Sequence, residues 1–173
     1  LPAGDLLLVS TSNGQNEGHT RVPSPRAPSL IAVNKHSGEV VWRAIGPGEQ
    51  VLHGQWSSPT VAEIGGVAQV IFGGGDGWVY SFKADKTKEL LWKFDINPKD
   101  AILELGGRGT RNDIISTPVV YDNKVYFCTG QDPEHGEGKG CLSCIDPTKT
   151  GDQSGKAVWT YKEIHRSVST PAI

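Results

Sequence analysis

Short apolar stretches, some alternating with polar residues and some continuous, recur along the chain between clusters of Gly, Pro, Asp, Asn and Ser. That pattern predicts many short strands rather than long amphipathic helices. Three stretches end alike: "LIAVNKHSGEVVW" at 30–42, "VYSFKADKTKELLW" at 79–92 and "LSCIDPTKTGDQSGKAVW" at 142–159. Each reads as a strand, a polar turn and a second strand carrying Trp. A second landmark, "SSPTVAEI" at 57–64, "STPVVYDN" at 116–123 and "STPAI" at 169–173, opens each new unit.

Spacing between the landmarks fits a four-stranded repeat with loops of variable length. The predicted strands are 5–11, 29–34 and 39–44, then 58–64, 67–73, 78–83 and 89–94, then 116–122, 123–129, 141–146 and 156–161. Units therefore fall at 5–44 (incomplete), 57–95 and 116–162, with 169–173 opening another. Repeated antiparallel units of this length read as blades of an all-β propeller. A chain that begins and ends inside a blade is expected to belong to a longer polypeptide, and residues 1–173 alone to aggregate, assemble with themselves or remain partly unfolded, because blade edges and interblade surfaces are left uncovered.

"AVNKHSGEVVW", Ala32 to Trp42, resembles the tryptophan-docking motif of the PQQ-like (quinoprotein-type) β-propeller repeat family, Ala-x-Asp-x-x-Thr-Gly-x-x-x-Trp. Asn34 and Ser37 stand for the usual Asp and Thr. The second copy lacks the Gly, and the third keeps Asp146 with a longer turn. The resemblance covers nearly the whole chain. It implies about three blades of a larger ring, taken as eight-bladed, and an exported, periplasmic setting. Independently of the family, Trp42, Trp92 and Trp159 are candidates for blade docking, because a large indole on an outer strand can cover the gap to the next blade.

Charge changes the picture by exclusion. Seventeen basic and nineteen acidic side chains leave a net charge of −2, so there is no overall basic field for nucleic acid. No apolar run is long enough to span a bilayer as a helix. Cys128, Cys141 and Cys144 are an odd set, consistent with buried free thiols or one cross-strand disulfide involving Cys128. "CLSCI" lacks the His of a haem-attachment motif, and alternation along a strand sends Cys141 and Cys144 to opposite faces, which disfavours a shared zinc.

Antiparallel order places the long connections at 12–28, 45–56, 96–113, 131–140 and 162–167 on one face, opposite tight hairpins at Gly65-Gly66 and Asp122-Asn123. "GGGDGW" at 73–78 is a further hairpin. His19, His53, His135 and His165 fall on the long-loop face. A polar rim of Arg108, Arg111, Asp132, Glu134, His135 and Glu137 is expected there, with Arg108 or Arg111 near Glu134 or Glu137 and Asp113 capping the turn. Glu134, His135 and Glu137 are the candidates for a metal, although their spacing fits no standard calcium loop. "GGRGTRND" lacks the strand-loop-helix context of a phosphate site, and no nucleophile sits in an elbow.

Two functions follow from the resemblance. One is a non-catalytic scaffold that binds other protein subunits or the rest of its own propeller; the family includes an outer-membrane-protein assembly lipoprotein. The other is part of a PQQ-dependent dehydrogenase oxidising alcohols or sugars, with Ca2+ beside the quinone. The chain has no adjacent Cys-Cys pair of the kind on which several such enzymes stack the quinone.

Overall fold

The computed structural model describes residues 3–106, 109–130, 139–165 and 167–173. Three antiparallel sheets follow one another along the chain. The first holds β1 (Leu6–Ser10), β2 (Leu30–Asn34) and β3 (Val40–Ala44). The second orders β4 (Thr60–Ile64), β5 (Val67–Gly73), β6 (Trp78–Lys83) and β7 (Leu90–Asp95) as consecutive neighbours. The third does the same with β8 (Val119–Tyr121), β9 (Lys124–Thr129), β10 (Cys141–Ile145) and β12 (Trp159–Tyr161). Among the described residues the one helical element is a 3-10 turn at Gly48–Gln50.

Alternation along each strand gives every sheet two faces, and the faces stack in order. Leu30, Ala32, Trp42 and Ala44 of the first sheet pack against Val70 and Phe72 of the second. The opposite face of the second sheet, with Ile71, Val79, Trp92 and Phe94, meets Val125, Phe127, Cys141 and Ile145 of the third. β4 and β8, the first strands of their sheets, lie next to each other. The Ser-Ser-Pro stretch at 57–59 and the Ser-Thr-Pro stretches at 116–118 and 169–171 bond one another. Ser57 donates its hydroxyl to the Ser116 carbonyl at 2.9 Å, Thr60 to the Pro118 carbonyl, and the Thr117 amide reaches the Thr170 hydroxyl at 3.3 Å.

Each Trp faces a small residue on the strand beside it: Ala32 opposite Trp42, Ser81 opposite Trp92 and Cys144 opposite Trp159. The small partner leaves room for the indole to lie over the sheet. The turn before each Trp is built the same way three times. Asn34 accepts amides from His36 and Ser37, while Asp85 and Asp146 accept the amides and hydroxyls of Thr87 and Thr148. Either Asn or Asp supplies the needed oxygen, which is why Asn34 serves in the first copy. Four residues before each Trp the backbone is left-handed, at Gly38 (φ 75°), Lys88 (φ 56°) and Gly155 (φ 75°). The second copy, lacking glycine in sequence, nevertheless keeps the glycine conformation.

The hairpins Gly65-Gly66 and Asp122-Asn123 have positive φ at both positions, the signature of a type I′ turn. The third-unit strand expected over 116–122 shortens to Val119–Tyr121, because Pro118 has no amide to give and Ser116 instead bonds the Cys128 carbonyl. The strand expected over 156–161 starts at Trp159, since the Lys156 amide closes a turn onto Gln153. Residues 169–173 form no strand. One element was not anticipated. β11 (Gly151–Asp152), in the long turn of the third unit, pairs in parallel with Trp92 and Lys93 of β7 and adds a fifth strand to the second sheet.

Candidate functional site

The connections at 12–28, 45–56, 74–77 and 96–113 interlock through the main chain. The Gln15 amide bonds the His53 carbonyl at 2.8 Å, and its side chain donates to the Val51 carbonyl at 3.0 Å. The Leu52 amide reaches the Gly75 carbonyl at 2.8 Å, and the Gly75 amide reaches the buried Gln55 side chain at 2.9 Å. Glycine is required at 75, because a Cβ there would lie 2.1 Å from the Gly54 carbonyl oxygen. Within 12–28, Asn16 accepts the amides of Thr20 and Arg21, folding the segment back on itself.

The Asn97 side-chain amide donates to the Asn112 carbonyl at 2.9 Å and accepts the Asn112 main-chain amide at 2.8 Å, which pins the two ends of the 96–113 connection. Asn112 then donates to the Lys139 carbonyl at 2.8 Å, and the Gly140 amide bonds the Ile164 carbonyl at 2.9 Å. Gly106 approaches the His19 carbonyl. The result is a continuous band of loops running from 14 to 165 across all three sheets.

Arg111 is the one member of the expected charged rim that is described. Its guanidinium grips both Asp95 carboxylate oxygens, at 2.8 and 3.1 Å, and donates to the Asp76 carbonyl at 2.9 Å. With its side chain only 14% exposed, it is turned inward and braces the hairpin against β7. Asp113, expected to cap a turn, is buried, and its backbone bridges Gly130. Arg108, Asp132, Glu134, His135 and Glu137 lie outside the described residues. His165 is exposed at the far end of the band, while His19 and His53 come together with ring centroids 4.5 Å apart. His53 also meets Trp56 edge-on at 5.6 Å, and Trp56 is 52% exposed.

Sequence reasoning missed Asp76. It sits at the hairpin of "GGGDGW", fully buried, accepting the Tyr80 hydroxyl at 2.6 Å and the Trp78 amide at 3.1 Å. Burial pushes its carboxyl up to about 6, against the lowering effect of those hydrogen bonds and of Arg111. Burial likewise pushes the Tyr80 hydroxyl up. An Asp between glycines is a common turn residue, so the sequence held no sign that this one would be enclosed.

The indoles divide by position. Trp42 is buried and donates Nε1 to the Asp85 carbonyl of the next sheet at 2.9 Å. Trp92, 1% exposed, donates to Gln69, whose own amide reaches the Pro147 carbonyl of the third sheet at 3.3 Å. Trp159 is 44% exposed and leans on Tyr126. All three cysteines are free and buried, so the thiol alternative holds and the disulfide does not. Cys141 faces the second sheet, whereas its strand neighbour in register with Trp159, Cys144, faces away.

Comparison with solved structures puts this architecture in context. BamB from Moraxella catarrhalis matches with a TM-score of 0.57 and 19% identity, over 96% of this chain and 40% of that one. Quinohemoprotein alcohol dehydrogenase from Comamonas testosteroni matches with a TM-score of 0.56 and 16% identity, over 94% and 24%. This chain has the fold of a β-propeller segment. A further match is quinohemoprotein alcohol dehydrogenase ADHIIG from Pseudomonas putida HK5, with a TM-score of 0.51 and 20% identity over 90% and 22%. The propeller segment thus spans less than half the length of each. No protein-family model and no curated protein matches the sequence.

Among the described residues no three His, Cys, Asp or Glu side chains converge on a point that could hold a metal. Asp76 and Asp95, the acidic groups deepest in the loop band, are instead committed to Tyr80 and Arg111. Among the described residues no helix is long and apolar enough to cross a membrane.

Proposed function

We infer that this segment is part of a non-catalytic propeller scaffold in an exported bacterial protein, a larger ring of eight blades, and that its long-loop end is the surface presented to another protein subunit. The carrying observation is the interlocked loop band, which holds Trp56, Ile102 and Leu103 exposed on a framework fixed by main-chain hydrogen bonds. Exposed apolar anchors, one of them aromatic, on a rigid polar surface are the arrangement from which protein interfaces draw their affinity. Preorganised loops also lose little conformational freedom on binding. The family resemblance agrees, since it includes an outer-membrane-protein assembly lipoprotein, and such proteins work outside the cytoplasm.

In this reading Trp42, Trp92 and Trp159 are blade-docking residues, with Trp159 directed at the neighbour that follows the third sheet. Arg108, Asp132, Glu134, His135 and Glu137 add a charged rim that tunes association rate and specificity. The dehydrogenase reading draws on the two quinohemoprotein neighbours, and it predicts a bound chromophore. The test is to isolate the native complex, identify the subunit bound, and measure its affinity for variants. Trp56→Ala with Leu103→Ser should weaken binding by at least about tenfold, as expected for an aromatic anchor. Substitution of Tyr121 beside the opposite hairpin should change it little. Unchanged affinity in the loop variant, or a quinone absorbance in the purified protein, would reject the scaffold assignment.

A further inference from the structure

A cleft of about 540 Å³ opens between the second and third sheets, bordered by Asn97, Asn112 and Gly140 of the loop band and apart from Trp56. Its volume lies within the usual range for sites that enclose a small organic molecule. Phe94, Ile96 and Ala157 give it apolar walls, and Lys99, Lys139 and Lys162 also line it. Two acidic residues reach the cleft as well, but each already has a cation: Asp95 is held by Arg111 at 2.8 Å, and Asp152 faces Lys93 at 3.7 Å. Among the described residues none of the three cleft lysines forms an ion pair. Among the described residues the cleft therefore combines an apolar interior with three lysines that form no ion pair.

We propose that this cleft binds a small organic carboxylate, with its apolar body against Phe94, Ile96 and Ala157 and its carboxylate among Lys99, Lys139 and Lys162. Apolar burial supplies affinity, and the ammonium groups supply selection for the anion. A neutral molecule of the same shape would enter but gain nothing from the lysines, while a cation would be repelled. Lys99, Lys139 and Lys162 stand on the long-loop end, but the cleft uses neither the apolar anchors nor the rim residues proposed to meet a partner, so either assignment can fail alone.

The test compares 2-naphthoate with its neutral isostere 2-naphthamide, titrated into the purified protein at low salt and followed by calorimetry. Naphthoate should saturate with a Kd at or below about 1 mM, the affinity that a probe of this size reaches at ordinary efficiency. Naphthamide should bind at least about tenfold more weakly, and raising the salt should narrow the gap. The triple variant Lys99→Gln, Lys139→Gln and Lys162→Gln should bind both probes alike. Ala157→Phe, which narrows the cleft at a half-exposed position, should weaken both. Absence of saturation by naphthoate, equal affinity for the two probes in the unaltered protein, or a preference that survives the triple substitution would each overturn the proposal.

Discussion

Gln69 joins the second and third sheets through one amide. It is 4% exposed, and its Oε1 accepts the Trp92 indole N–H at 2.9 Å and the Ser81 hydroxyl at 2.8 Å. Its Nε2 donates to the Pro147 carbonyl at 3.3 Å. Gln69→Leu keeps the bulk but strips partners from three groups in buried residues. Each unsatisfied buried group costs about 1 to 3 kcal/mol, so even at the low end the substitution should destabilise by about 3 kcal/mol. Trp92→Phe removes the indole N–H along with part of the ring. Added to Gln69→Leu, it deletes a donor that is already orphaned, so its cost should be smaller in the double variant by about 1 kcal/mol. The assay is urea unfolding of the four members of the cycle, monitored by far-ultraviolet circular dichroism. Additive effects within about 0.3 kcal/mol would show that the Gln69–Trp92 bond is not part of the network through which Gln69 stabilises the fold and would refute the argument.

Two further outcomes are expected. Because folding raises the Asp76 carboxyl from 3.8 to about 6, its contribution to stability is fully present below pH 3.8 and is lost as pH rises through 6, an effect of about 3 kcal/mol. Asp76→Asn should abolish that slope, so the unfolding free energy of the wild type relative to the variant should fall between pH 4 and about 7, and a flat difference would contradict the assignment. The strained Lys88 offers a second measurement: Lys88→Gly should raise stability by up to about 1 kcal/mol, while Gly155→Ala in the equivalent position should lower it by about 1 kcal/mol, both read from denaturant midpoints.

The repeat was legible because the same local chemistry recurs wherever the same geometry is needed. Two glycines at 65–66, or Asp122 with Asn123, specify a left-handed hairpin, and alternation correctly separated the faces of Cys141 and Cys144. The antiparallel, all-β architecture followed from these signals. What the chain did not advertise is long-range. Nothing local says that Arg111 turns toward Asp95 rather than outward, since the pair is 16 residues apart and depends on how a connection folds over a hairpin. Asp76 was similarly invisible, because its burial is imposed by loops from elsewhere. Lys88 shows the converse: a motif position that lost its glycine kept the motif's backbone, because the flanking strands and Asp85 dictate the turn.

The parallel pairing of β11 with β7 means that the units of sequence and the units of sheet do not coincide. Residues 151–152 are encoded in the third repeat but complete the second sheet, and Ser154 and Gln153 fasten them to the main chain of Asp95 and Lys93. Cutting the chain cleanly between repeats would therefore strip one blade of its outer rim. Insertions in this turn, though it looks like an ordinary surface excursion, should be tolerated poorly. The lengthened third copy should therefore act as a clasp that makes two adjacent blades lose structure together, which would make a pair of repeats, rather than one, the smallest unit to be shuffled or truncated intact.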